Sequence, residues 1–528
     1  MKSDKRIFLD FLLRVSPALI MAIPVLFILI LKISPNVYTP KWDECLYVYD
    51  SQRLLSGQVP YRDFFNFTPP GTFLLQSLWY WIWGGRATLT LGRYLSALTA
   101  FVTWILLTRT LLRAGWNNFK ATLVASLYPI VLYSFWPIPS HHWFSDIPFI
   151  LAFEAWDFKS GRVKGSAGWA WIGAMMVTSA IFLQTTGLIA GLFWGTVWIL
   201  GKKDRTREFI YCLTGGLAIL APFLLWLSLN GATGSFFSDT FVWTFNHYAA
   251  PGGPNAVSLL GDLPLRIVSL WRFPPGYSPF VAGLYSTAGT LTYLGILLIV
   301  TFLIILALID LVGILRAGTI KNPFTSAAML ITIVGLTLYL RGKTDWLHLV
   351  YIIGMLSLAW CAAKPAIRPG RKTPTWIAVG TIVLLSLSIF WQSGFLMYND
   401  VMVREFLDVD KPVRDAPVNR FLRDSDWLKP RDSIVALPEG GEVYLYVRPA
   451  AIGYTLLTPL SYGYNSLEDH RVAADEMEQN RPRCVVLTTD TEKQFLNPDS
   501  PVARLIMRDF TRRTVIGDAV IYLRKSEK

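Results

Sequence analysis

Long apolar runs, separated by short polar or basic breaks, fill the first 395 positions of this 528-residue chain. Leu12–Leu31, Leu89–Leu112, Ala121–Ile138, Tyr211–Leu229, Leu291–Leu315, Ala327–Leu340, Leu347–Ala363 and Trp376–Gly394 approach the ~20 residues a helix needs to cross hydrocarbon. Three further spans, starting near His142, Trp169 and Gly187, are shorter or more polar. Together they predict about eleven transmembrane helices. Beyond residue 395 the pattern changes. Residues 396–411 form a polar link, and 412–528 are charged and punctuated by turns. There the alternation predicts strands at Ser433–Leu437, Cys484–Thr488 and Thr514–Arg524, and helices at Val418–Leu422, Leu467–Glu478 and Val502–Phe510. The expected fold is mostly α: a polytopic membrane domain (1–395) followed by a small α/β module (412–528).

The first outer loop, residues 33–88, is unusually long for a connection between two spans. Leu46, Tyr49, Leu54 and Leu55 recur at near-helical spacing opposite Asp50 and Arg53, which predicts an amphipathic helix lying along the membrane surface. Trp79, Tyr80, Trp81 and Trp83 form an aromatic cluster suited to headgroup depth. Pro69-Pro70-Gly71 must interrupt any helix there.

Composition agrees with a membrane protein. The chain is 53% hydrophobic and 16% charged, with mean hydropathy +0.41. Its net charge of +13 would suit nucleic acid, but the placement excludes that. Lys2/Lys5/Arg6/Arg14, Arg113/Lys120, Lys159/Arg162/Lys164, Lys202/Lys203/Arg205/Arg207, Arg316/Lys321 and Lys364/Arg368/Arg371/Lys372 all fall on one side of the threaded spans. The opposite short loops, around Ser140 and Thr185, lack Lys and Arg. This asymmetry places the amino terminus in the cytoplasm, and the first loop, the Gly231–Pro279 region and the terminal module outside it, in a multi-pass cell-membrane protein. The basic start imitates a signal peptide without a small-residue cleavage site, so a retained first helix is expected. The four cysteines give no disulfide framework, Cys45–Cys484 being the one pairing open to discussion. Asn66-Phe67-Thr68 fits the N-glycosylation acceptor pattern, followed by Pro69.

Several clusters on the outer side carry candidate chemistry. Asp43 and Glu44 follow the first span, where adjacent acids can divide labour, one as base and the other orienting it or holding a cation. A lone helix cap would explain one acid but not the second, nor Arg62 and Asp63 later in the loop. In Arg341-Gly342-Lys343-Thr344-Asp345-Trp346-Leu347-His348, a helical reading puts Arg341, Asp345 and His348 on one face, where they could bind a phosphate. His142 and Asp146, four residues apart, suit a metal or a hydrogen-bonded pair. Aromatics and glycines from Trp243 to Tyr277 fit a flap over a sugar site or an interface belt. No Gly-rich nucleotide loop, Ser-His-Asp arrangement or CxxC pair is present. A donor carried on a lipid phosphate would bring an activated sugar to acids outside the cytoplasm.

These residues resemble the membrane-embedded GT-C glycosyltransferases, in particular bacterial relatives of protein O-mannosyltransferases and the lipid A aminoarabinose transferase. The acid pair Asp43-Glu44, the Gly-x-x-Pro-Tyr-x-Asp of Gly57–Asp63, Pro69–Gly71 and Arg93 carry the likeness, and the 341–348 motif is similar to one in many members. The resemblance implies inverting transfer of a hexosyl or pentosyl group from a polyprenyl-phosphate-linked sugar to an acceptor on lipid, glycan or protein. It implies Asp43 as base, and Glu44 and Asp63 are the further catalytic candidates that the loop itself offers. Arg341 and Lys343 would hold the leaving phosphate, with Asp345 and His348 of the same motif, and Arg62, His142 and Asp146 are the further substrate-binding candidates. No cofactor is implied, and a divalent cation is left open. The competing functions are a lipid or glycan transporter, which would place its ionisable groups near mid-membrane, and a glycan ligase or polymerase centred on 341–348.

Overall fold

The computed structural model describes residues 2–34, 42–201, 205–247, 279–317, 323–341, 346–367, 375–398, 408–462 and 465–525. The long helices are α1 (Lys2–Ile33), α2 (Trp42–Leu55), α3 (Gly71–Ile82), α4 (Leu89–Arg113), α5 (Asn118–Ala125), α6 (His141–Ala152), α7 (Gly165–Phe182), α8 (Gln184–Leu200), α9 (Arg205–Leu229), α10 (Pro279–Ala317), α11 (Pro323–Arg341), α12 (Trp346–Ile367) and α13 (Thr375–Tyr398). Among the described residues, four segments are long and apolar enough to cross a membrane: Leu89–Arg113, Gly165–Phe182, Arg205–Leu229 and Gly283–Arg316. Shorter apolar helices accompany them, including Gln184–Leu200, Pro323–Tyr339 and Leu349–Ala363. Leu298, Ile305, Leu308, Ile309 and Leu315 on α10 are exposed. So large an apolar face is tolerable against lipid rather than water.

One expected span is not a continuous helix. Instead of running from Ala121 to Ile138, the chain leaves α5, forms a π turn at Tyr128–Leu132 and tightens to a 3-10 turn at Tyr133–Phe135. Pro129 is the cause: it has no N–H to give and its ring crowds the preceding turn. In a membrane the carbonyls of these irregular turns need partners. Gln392 Nε2 donates to the Ile130 carbonyl at 2.7 Å, with Ser388 Oγ also donating to it at 3.1 Å. Ser134 Oγ donates to the Pro129 carbonyl and Ser96 Oγ to that of Ile138. The segment near His142 also becomes a helix of only 12 residues, with Pro148 inside it.

The first loop differs from expectation in its exposure. The amphipathic helix forms, as α2, but Asp50 and Arg53 are buried instead of facing water. The terminal module covers that face and supplies partners: Thr455 Oγ1 donates to Asp50, and Arg53 donates to the Gly453 carbonyl. The loop continues through a turn in which Gly57 and Tyr61 both take positive φ, and Arg53 bonds the Asp63 carbonyl across it. Gly71 then opens α3 directly after Pro70. A Cβ there would meet the Ile181 carbonyl at 2.7 Å, so α3 is seated on the end of α7 by a residue without a side chain. Trp81 and Trp83 are exposed at the far end of α3, while Tyr80 is buried.

The module is a four-stranded mixed sheet with helices. Its strands are β1 (Ile434–Leu437), β2 (Cys484–Thr488), β3 (Phe510–Ile516) and β4 (Ala519–Arg524), in the order β1-β2-β4-β3. The β1-β2 pair is parallel and the other two are antiparallel. Thr514–Arg524, expected as one strand, is the hairpin β3-β4, reversed at Gly517 with φ +61. The predicted helices occur at Pro417–Arg423, Leu467–Asn480 and Pro501–Asp509. All four cysteines are free, so Cys45 and Cys484 form no bridge. Asn66 is buried, donates to Asp50 and accepts from Thr68, which removes it as a glycosylation acceptor.

Candidate active site

Helix α2 organises the site because its residues 43, 47 and 50 follow the i, i+4, i+7 spacing of a single face. Asp43, in the first turn, is exposed. One turn on, the Tyr47 hydroxyl lies 3.1 Å from His141 Nδ1, their rings edge to face. Asp50 is fully buried, accepting from Asn66 Nδ2 at 2.9 Å and from Thr455 Oγ1 at 2.8 Å. Burial pushes the Asp50 carboxyl up to about 6, opposed by the nearby Arg53 cation and these two hydrogen bonds. Glu44 points elsewhere. Both its oxygens accept from Arg93 of α4, at 2.6 and 2.8 Å, and neither side chain is accessible to solvent. Arg93 also donates to the Ile33 carbonyl at the end of α1. The pair joins three elements just below Asp43.

His141 opens onto a hollow of about 150 Å³. Ser140 caps α6 by accepting from the His142 amide, which sets both histidines in its first turn. His142 stacks flat on Tyr351 at 3.7 Å. Asp146, one turn further, is buried, and Tyr128 Oη donates to it at 2.7 Å. Thr68 of the first loop, Gln184, Thr185 and Thr186 of α8, Tyr339 of α11 and Tyr351 of α12 complete the wall. Both loops lacking basic residues therefore meet the first loop at one hollow. The α11 and α12 segments flanking 341–348 border it too. The side chains of Arg341, Lys343, Asp345 and His348 lie outside the described residues, as does most of the Gly231–Pro279 region. Among the described residues, no group of three or more His, Cys, Asp or Glu is arranged to hold a metal. Among the described residues, His142 and Asp146 offer two groups that could face a cation, and Asp146 already accepts from Tyr128.

Arg62 and Asp63 sit apart from this hollow. The Asp63 carboxylate accepts from the Val59 amide and from the exposed Arg62, whose guanidinium holds it below its ordinary value. With Asp239, Tyr454, Asp469 and Glu476 they line a more open hollow of about 350 Å³ between the first loop and the module. Burial, reinforced by the Asp469 charge, pushes Asp239 up to about 7 there. Phe65 and Phe67 both pack against Trp243, and Phe65 lines this hollow while Phe67 lines the first. Sequence reasoning missed Tyr47, Tyr351 and the Gln184–Thr186 stretch. The first was legible as the residue one turn beyond Asp43. The last was legible as three polar residues at the start of an apolar run.

No protein-family model matches the chain, and no curated protein sequence matches it. Solved structures do. ArnT from Cupriavidus metallidurans bound to undecaprenyl phosphate aligns over 96% of this chain and 98% of its own, at 13% identity and TM-score 0.54. Its apo state aligns over 96% and 97%, with the same identity and TM-score. The Archaeoglobus fulgidus oligosaccharyltransferase tethered with an acceptor peptide aligns over 98% of this chain and 74% of its own, at 13% identity and TM-score 0.48, too distant to argue from. The likeness to ArnT spans nearly the whole of both chains, and at this identity it shows a shared fold.

Proposed function

We propose that this chain, which has the GT-C fold, is an inverting glycosyltransferase that moves a sugar from a polyprenyl-phosphate donor to an acceptor hydroxyl at the outer face of the cytoplasmic membrane. One observation carries the reading. Asp43 stands one turn above Tyr47, whose hydroxyl reaches the wall of the hollow on which the outer-side loops converge. ArnT, alike in fold, was crystallised with undecaprenyl phosphate, which supports a lipid phosphate as the carrier. The segregation of basic residues to one side supports a cytoplasmic amino terminus.

In this mechanism the Asp43 carboxylate takes the proton of the acceptor hydroxyl as its oxygen attacks the anomeric carbon from the face opposite the phosphate. A new carbon–oxygen bond forms and the bond between the anomeric carbon and the phosphate oxygen breaks. The electron pair departs with the polyprenyl phosphate, and the anomeric configuration inverts. Arg341 and Lys343 hold the leaving phosphate, Asp345 and His348 orient them, and this electrostatic stabilisation is the larger catalytic contribution. Tyr47, His142 and Tyr351 shape the sugar site. Glu44 keeps Arg93 and α2 in register, and Asp63 with Arg62 contributes to the acceptor side. A transporter is less well supported, because the polar groups gather at one end of the helices and not at mid-membrane.

Mass spectrometry of envelope lipids and glycans with and without the gene tests the function. A sugar-sized loss from one acceptor is expected, and full restoration by Arg341→Ala would remove the phosphate-binding role.

A further inference from the structure

Helix α2 is gripped on three sides, and one grip comes from more than 390 positions away in the sequence. Toward the membrane helices, Glu44 pairs with Arg93. Toward the hollow, Tyr47 meets His141. The third side belongs to the terminal module. There the short helix Gly441–Tyr446 lies so close that a Cβ on Gly441 would meet the backbone of Cys45 and Leu46 at 2.8 Å. The Tyr444 ring packs on Tyr49 at 5.2 Å between centroids, and the Ala450 amide donates to the Tyr49 hydroxyl at 2.9 Å. Thr455 Oγ1 donates to the buried Asp50 carboxylate at 2.8 Å. Asp50 lies seven residues from Asp43, two turns along the same face. Asp410, at the entrance to the module, fastens the other border of the first loop, accepting from the Leu89 amide at 2.9 Å and from the Thr90 hydroxyl at 2.6 Å.

We propose that the terminal module is a positioning element for the transfer reaction: Gly441, Ala450 and Thr455 set the tilt of α2 and so the place of Asp43 relative to the hollow that Tyr47 reaches through His141. This rests on the glycosyltransferase reading above. A rigid helix transmits a tilt along its whole length. An ångström at the reacting group is enough to matter, because the geometry of attack is steep in distance. Gly441 is required for close approach, since any side chain there must push α2 and the module apart. Thr455, Gly441 and the Tyr49 hydroxyl are positioning residues, and none touches the hollow itself.

The test uses the full chain in detergent and in cells lacking the native gene. Thr455→Val removes one hydroxyl with little change of shape, and Thr455→Ser keeps it. With Thr455→Val, amide exchange across Cys45–Asp50 is expected to rise about tenfold or more as the local grip opens. Envelope modification is expected to fall about tenfold as the acid drifts, while undecaprenyl phosphate, the probe for the donor site, binds within about twofold of wild type. Thr455→Ser should match wild type in all three. Gly441→Ala should repeat the Thr455→Val pattern from a different contact, which guards against a fault peculiar to one substitution. Unchanged exchange in both variants, or loosened exchange with full modification, overturns the proposal. Asp43→Asn, run alongside, separates the two claims. Full modification there overturns the role of the acid, whereas full modification in a loosened Thr455→Val overturns the role of the module alone.

Discussion

Asp43 and Glu44 are neighbours in sequence with opposite fates, and substitution should tell them apart. Glu44 and Arg93 form a buried bidentate pair, so removing one partner strands a charge. Glu44→Ala should destabilise the protein by about 3–5 kcal/mol, and the double change with Arg93→Leu should recover much of that loss, read as thermal stability in detergent. Asp43 is exposed, and its substitution should leave stability nearly unchanged. A second residue-scale test lies in the module core. His470 Nε2 donates to the Thr458 carbonyl and Nδ1 accepts from Ser500 Oγ, in a neutral ring whose burial lowers its pKa below the ordinary 6.5. Between that lowered value and 6.5 the unfolded chain binds the extra proton, so stability falls as pH drops through this window. His470→Gln should flatten that acid limb in hydrogen-exchange measurements on the module. The sequence marked Asp43 and Glu44 together as acids. It could not separate them, because the partner of Glu44 is set by how α2 meets α4.

At the scale of elements, polar residues inside apolar helices mark where helices break or touch. Gln392 and Ser388 both donate to the Ile130 carbonyl in the irregular turn, so Gln392→Leu alone should cost no more than about 1 kcal/mol, and Gln392→Leu with Ser388→Ala, which strands that carbonyl, about 1–3 kcal/mol, read as thermal stability in detergent. Helices α7 and α9 pack backbone against backbone. A Cβ on Gly215 would meet the Ala170 carbonyl at 1.8 Å, and one on Gly173 the Cys212 carbonyl at the same distance. Gly215→Val should therefore abolish the pairing and the yield of folded protein, whereas Gly313→Ala, in open space on α10, should be silent. The long apolar runs and three of the module's helices are legible from periodicity, whereas Gly441–Tyr446 and Thr489–Phe495 are too short to show a period. Pro129 marks the break in the sequence, but the run Ala121–Ile138 is apolar overall and so has the hydropathy of a continuous span. The β3-β4 hairpin was hidden because Gly517-Asp518 is a short reversal inside one β-rich stretch. The buried face of α2 could not be read at all. Asp50 and Arg53 look solvent-facing until the module, distant in sequence, supplies Thr455 and the Gly453 carbonyl.

At the scale of the whole molecule, the first loop and helices α6, α8, α11 and α12, remote from one another in sequence, share one hollow. The module bolts down the helix that carries the acid. Both hollows border the first loop, one at Phe67 and Thr68 and the other at Tyr61 to Phe65. The central claim is that this carboxylate activates the acceptor. Its most direct test is turnover of a polyprenyl-phosphate-linked sugar by the purified protein, with release of polyprenyl phosphate followed for wild type and Asp43→Asn at saturating donor. Turnover should fall about 10²–10⁴-fold in the variant with donor affinity preserved. Release at the wild-type rate by Asp43→Asn would contradict it.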